Sequence, residues 1–271
     1  MRFSLLPLLM VPFVATAAGN TEIDSFNRAK HLLETKVYKD HRVTLYCEAS
    51  FDEKKNVILP KGFTTLQHEK RAKKIEWEHV VPAENFGRNF VEWREGDPRC
   101  VNESGTKLDF SSFSKLIESF VNSFLYSNTK TKSFKGRKCA EKVNYDFRLM
   151  QADLYNLYPA IGAVNAMRQN YNFQLLPGVP SSFGSCEMKI DRHRAEPPEN
   201  ARGPIARTYL YMAKTYSQHF KLSKQQERLM QGWDNQYPVD KWECTRAKRI
   251  EEIQGNSNAF VKDACIAASF W

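Results

Sequence analysis

The chain has 271 residues, of which 42% are hydrophobic and 26% charged, and lysine plus arginine outnumber aspartate plus glutamate by 40 to 31 for a formal charge of +9. There is no internal repeat or extended low-complexity tract, and the length is enough to bury a sizeable core. The basic balance favours a polyanionic partner such as nucleic acid, an anionic glycan or a membrane surface.

The first residues, MRFSLLPLLMVPFVATAAGN, combine Arg2, an apolar run from Leu5 to Ala15 and small residues at Ala15 and Ala17. This pattern predicts a secretory signal cleaved after Ala17 or Ala18. A membrane anchor needs about 20 apolar residues, and this run is interrupted by Pro7 and Pro12. The expected organisation is a signal peptide over 1–17 and a single domain over 18–271, with an insertion at about 100–138, located in the periplasm or outside the cell, with no membrane partner.

Residues 21–37 place Ile23, Phe26, Ala29, Leu32 and Leu33 at helical spacing and predict an opening amphipathic helix. RVTLYCEASF alternates Val43, Leu45 and Cys47 as a half-buried strand would, and KKNVILP predicts a short strand stopped by Pro60. In KIEWEHVVP a strand would put Glu76 and Glu78 on one face and Trp77 and His79 on the other. Glu78 and His79 could then share a site only if the strand ended there, an ending that Pro82 favours.

Between Cys100 and Cys139 the sequence predicts one amphipathic helix, carrying Phe113, Leu116, Ile117, Phe120 and Phe124, and then a basic tail with Lys130, Lys132, Lys135 and Arg137. DLYNLYP predicts a strand ended by Pro159. AIGAVNAMRQNY predicts a helix with Ile161, Val164 and Met167 inward and with Asn165, Arg168 and Gln169 on a neighbouring side. Further helices are expected over ARGPIARTYLYMAKTYSQHF and SKQQERLMQGWDNQYP, the latter capped by Ser223 and stopped by Pro238. Few short strands among several long helices give the class α+β.

The six cysteines, 47, 100, 139, 186, 244 and 265, contain no C-x-x-C spacing, so disulfides are favoured over a zinc ribbon. Sequence does not choose among the pairings. Cys244 with Cys265, flanking the C-terminal helical segment, is the one pair expected.

Four segments, IEWEHVVPAENFG, DLYNLYPAIGAVN, EPPENARGPIARTYLYM and YPVDKWECTRAKRIEEIQGNSNAFV, occur in an order and at intervals that resemble the endonuclease I family of exported bacterial nucleases. The resemblance covers about residues 25–267, apart from the insertion. It implies a ββα-metal (His-Me finger) nuclease core with additional helices and one helical, basic insertion. It also implies sequence-nonspecific, metal-dependent hydrolysis of DNA and RNA to 5′-phosphate products. Carried over by motif, His79 is the general base, Glu78 and Asn165 are ligands of one divalent ion, most naturally Mg²⁺, and Arg137 in GRKC neutralises the phosphate. Arg71, Lys73, Lys74, Lys135, Arg202 and Arg207 become candidate backbone contacts, and a monomer is expected.

The sequence departs from the family at Ala163 and Met167 in AVNAMR, at Gln151, where a glutamate is usual, and at Tyr155, where a histidine is usual. Those departures motivate an alternative, a nucleic-acid-binding protein on the same scaffold with lost or weak catalysis. A third reading, a disulfide-rich structural or adhesive protein, requires that Glu78, His79 and Asn165 do not converge.

Overall fold

A computed structural model describes residues 19–102 and 132–271. The expected leader, the helix around 113–124 and Lys130 lie outside the described residues. Among the described residues, no helix is long and apolar enough to cross a membrane.

Helix α1 (Phe26–Leu32) starts where the Ser25 hydroxyl accepts from the Arg28 amide, and it runs on into a wider π-turn over Leu33–Val37. Ala29, Leu33 and Val37 are its buried residues, with Ile23 buried just before it, whereas Phe26 and Leu32 are only half-buried. The expected inner stripe is therefore rotated, and Phe26 is left free to face a cavity. The strand expected over 43–47 is not formed. That stretch turns, with Thr44 and Tyr46 buried instead of Val43 and Leu45, and Cys47 there is bonded to Cys186.

The centre of the molecule is an antiparallel pair, β1 (Ile75–His79) against β2 (Leu157–Ile161), in register from Ile75 opposite Ile161 to His79 opposite Leu157. Between them in sequence come α2 (Arg137–Val143) and α3 (Tyr145–Gln151). Residues 154–156 form a 3₁₀ turn capped by Asp153, so β2 begins later than expected and contains Pro159 rather than ending at it. The Pro159 carbonyl accepts from the Leu45 amide. A residue's N and C=O face the same side of a strand, so the missing N–H of Pro159 also points to this outer edge, away from β1, where proline is tolerated.

Helix α4 (Gly162–Arg168) follows β2 without a loop. The Gly162 amide donates to the Lys74 carbonyl at 2.9 Å, one step beyond the ladder. A Cβ at 162 would lie 2.5 Å from the Arg71 carbonyl oxygen and 2.9 Å from Glu76 Oε1, so only glycine lets the helix start this close to β1.

The C-terminal third is helical: α5 (Glu199–Thr215), α6 (Lys224–Gln236), α7 (Lys241–Gln254) and α8 (Ala259–Ala267). Ser223 caps α6 as expected, accepting from Gln226 N. The expected Cys244–Cys265 bridge ties α7 to α8, and Cys100–Cys139 closes the base of the insertion, next to the short pairing of residues 101–102 with 132–133. One buried cluster runs through the described residues from Ile23 to Cys265, and the architecture is α+β.

Candidate active site

Glu78, His79, Arg137 and Asn165 all line one cavity of about 720 Å³. Strand β1 supplies the acid and the imidazole from its last two residues. The first residue of α2 supplies the guanidinium, and the middle of α4 supplies the amide. Phe26, Lys30, Glu76, Trp77 and Trp93 complete much of the wall. These residues come from well-separated parts of the chain, so the convergence is a property of the fold.

Glu78 is 3% exposed. Its Oε1 accepts from the Tyr46 hydroxyl and from Arg168 Nη1, both at 2.8 Å, while Oε2 has no hydrogen-bond partner among the described residues. Burial pushes the Glu78 carboxyl up, and the Arg168 guanidinium and the Tyr46 hydroxyl pull it back. Arg168 itself is fully buried. It also donates to the carbonyls of His79 and Val80 and lies over the Phe173 ring. The residue that holds Glu78 thus also ties down the backbone of His79.

His79 Nε2 is 2.8 Å from the carbonyl oxygen of Gln151 at the end of α3. A carbonyl only accepts, so the proton sits on Nε2 and Nδ1 is the free lone pair. Burial, with Arg137 adding its positive charge, pushes the imidazole pKa down to about 3. The ring is therefore neutral throughout the physiological range, with Nδ1 unpartnered among the described residues.

Asn165 donates from Nδ2 to Glu76 Oε2 at 2.8 Å, and its Oδ1 has no partner among the described residues. Two unpartnered oxygens, Glu78 Oε2 and Asn165 Oδ1, thus belong to residues lining one cavity. Among the described residues no group of three His, Cys, Asp or Glu could hold a metal ion, which excludes a site of the structural zinc type there. The pair that is present fits a hard cation, which is bound by one or two protein oxygens and keeps several waters.

Arg137 donates from Nε to the Gln151 side-chain oxygen at 3.1 Å, and its guanidinium lies 5.2 Å from the Phe26 ring centre. Among the described residues it has no carboxylate partner, and its Nη2 is buried without an acceptor. Burial lowers its pKa. A half-buried, uncompensated guanidinium in a cavity wall is a site for an anion.

Residues 22–265 match the sequence model of the Endonuclease I family. The chain belongs to that family. It is 34% identical over 268 residues to an extracellular deoxyribonuclease of Aeromonas hydrophila, covering 96% of this chain and 98% of the relative. A periplasmic deoxyribonuclease of the same organism is 35% identical, with 96% and 95% covered. An Endonuclease-1 of Buchnera aphidicola subsp. Acyrthosiphon pisum is 35% identical over 249 residues, with 90% and 82% covered. The protein is an endonuclease, a hydrolase of nucleic-acid phosphodiesters. Its three disulfides, together with relatives named extracellular and periplasmic, make it an exported one.

The other basic candidates of the endonuclease separate into two groups. Lys73, Lys74 and Lys135 are exposed. Arg71 is half-exposed, but its guanidinium is engaged by Glu76 through two bonds of 2.7 and 2.5 Å. Arg202 and Arg207 are turned inward instead. Arg207 is buried between Glu243 and Asp234, and Arg202 is held by Glu196 and the Tyr237 hydroxyl. Internal partners thus hold both guanidiniums, unlike the exposed lysines. Conversely, Lys30 and Phe26 of α1 belong to the cavity wall, with Lys30 Nζ 4.7 Å from the Phe26 ring centre and the His79 ring 4.9 Å from it. Helical spacing assigned Phe26 to the core, and no pattern in the sequence links it to His79.

Proposed function

We propose that this endonuclease is metal-dependent and sequence-nonspecific, cutting DNA and also RNA to 5′-phosphate ends at the cavity shared by Glu78, His79, Arg137 and Asn165. The observation that carries this reading is the convergence of those four side chains on one cavity, whose lining residues include His79 with an unpartnered Nδ1 and Glu78 and Asn165 each with an unpartnered oxygen. On this reading the paired strands β1 and β2 with α4 are the ββα element of a His-Me finger nuclease.

His79 takes a proton from water at Nδ1, and the oxygen of that water attacks phosphorus in line with the departing 3′ oxygen. The P–O3′ bond breaks, the 3′ oxygen takes a proton from solvent to leave as a hydroxyl, and the phosphate stays on the 5′ side. Nε2, fixed on the Gln151 carbonyl, keeps the ring in the tautomer that can do this. Arg137, in the cavity wall and without a carboxylate partner among the described residues, donates to a non-bridging phosphate oxygen. Glu78 Oε2 and Asn165 Oδ1 would hold the divalent ion, Mg²⁺ by the chemistry of its donors. When bound, that ion supplies charge neutralisation at the phosphate and at the leaving oxygen. A general base contributes about 10² to 10⁴-fold, whereas enzymes typically reach about 10⁶-fold or more, so the cationic groups must supply the rest.

None of the assigned side chains reads a base edge, and the exposed Lys73, Lys74 and Lys135 can meet any phosphate backbone, which accounts for a lack of sequence preference. The protein acts as a monomer in this reading, and no membrane takes part. Incubating the purified protein and a His79→Ala variant with plasmid DNA and with a structured RNA, each with Mg²⁺ and with EDTA, tests it. Cleavage by the native protein should need the cation and fall about 10²-fold or more in the variant. Equal cutting in all samples would refute the mechanism.

A further inference from the structure

The carboxylate of Glu76 is the best-defined group in the cavity wall that the proposed chemistry does not use. It is held by Arg71, through Nε to Oε1 at 2.7 Å and through Nη2 to Oε2 at 2.5 Å, and Oε2 also accepts from Asn165 Nδ2 at 2.8 Å. A carboxylate only accepts, so the atom of the Asn165 amide facing it must be the NH₂ group. The amide oxygen is then turned the other way, unpartnered. If Glu76 were absent, the Asn165 amide could rotate by half a turn and present its NH₂ to a cation, which cannot bind it.

The arrangement is fixed from behind. Arg71 lies in the short helix Glu69–Ala72 before β1, and its carbonyl oxygen would lie 2.5 Å from a Cβ at position 162, as Glu76 Oε1 would at 2.9 Å. The missing side chain of Gly162 is what lets the Arg71–Glu76 pair pack under the start of α4, three residues before Asn165. Arg71 was expected to touch nucleic acid, but its geometry is that of a clamp on Glu76.

We infer that Glu76, held by Arg71, is a positioning residue that selects which atom of the Asn165 amide is offered to a divalent cation. This rests on the reading of Asn165 as a cation ligand. Carboxylates that orient metal ligands in this way typically change affinity by about 10- to 100-fold when removed.

The test is Mn²⁺ affinity, read from free Mn²⁺ by electron paramagnetic resonance without nucleic acid, for the native protein, Asn165→Ala, Glu76→Gln, Asn165→Asp and the double variant Glu76→Gln with Asn165→Asp. Circular dichroism melts would confirm that each is folded. In the native background Glu76→Gln should weaken Mn²⁺ binding by about 10-fold or more, because the neutral amide is a weaker acceptor for Asn165 and its NH₂ group must oppose a donor of Arg71. In the Asn165→Asp background the same change should tighten binding. There it removes a like charge, and the new amide can donate to the Asn165→Asp carboxylate while its oxygen still accepts from Arg71.

A purely structural role predicts loss in both backgrounds, so an effect of the same sign in both overturns the positioning role. Mn²⁺ binding unchanged by Asn165→Ala would instead overturn the ligand reading beneath it. Weaker binding in Asn165→Ala with none in Glu76→Gln would leave that reading standing and sink only the inference about Glu76.

Discussion

Arg168 and Glu78 form a buried pair in which neither charge has another opposite charge nearby: the carboxylate is 3% exposed and the guanidinium fully buried. Taking one partner away leaves the other desolvated and alone, at a cost of about 3–5 kcal/mol, far above that of an exposed pair. Arg168→Met should therefore lower the urea midpoint by an amount equivalent to about 3–5 kcal/mol, and it should release Glu78 and the His79 carbonyl together. A variant with native stability would show that the Tyr46 hydroxyl alone satisfies Glu78. The sequence exposed Glu78 and His79 because acid and imidazole stand in a run that otherwise reads as buried. It placed Arg168 only on a polar helix face, because the partner that buries it is 90 residues earlier in the chain.

At the scale of elements, the site depends on how closely α4 approaches β1, and Gly162 sets that distance. Gly162→Ala would push a methyl group into two backbone carbonyls, those of Arg71 and Lys74, neither of which can move like a flexible side chain. The expected penalty is about 1–3 kcal/mol, typical of overpacking, together with a shift of Asn165 that raises the Mg²⁺ concentration needed for half-maximal cleavage. A native melting temperature and a native Mg²⁺ requirement would contradict this close packing. The helix here was legible from Ile161 and Val164. The strand before it was read as stopping at Pro159, because proline was weighed without knowing which edge of β2 its nitrogen faced. Similarly, alternation at Val43, Leu45 and Cys47 suggested a strand, but the Cys47–Cys186 bridge and burial of Tyr46 against the Glu78 carboxylate demand a turn.

For the whole molecule, the sequence set the helical C-terminal third and one disulfide within it. It could not choose the other two bridges, because their partners are brought together by packing rather than by spacing. Nor could it show that the π-turn after α1 is clipped to α7. Arg249 makes that connection, donating to the Val37 carbonyl and holding Asp40 through two bonds of 2.6 and 2.7 Å. The hydrogen bond from Arg249 is the main reason the Asp40 carboxyl is lowered to about 2. An aspartate whose folded pKa lies below its unfolded value, near 3.9, stabilises the protein at pH above about 4 and ceases to do so as pH falls through about 2. Asp153 acts in the opposite sense, since it is buried among tyrosines without a cation and its carboxyl is raised. The acid profile of the native protein therefore mixes both signs, and only a difference isolates Asp40. Asp40→Asn should melt below the native protein at pH 7, and the gap between the two should close as the buffer is taken to pH 2. A gap that persists undiminished at pH 2 would mean that Asp40 contributes by packing rather than by its charge on Arg249.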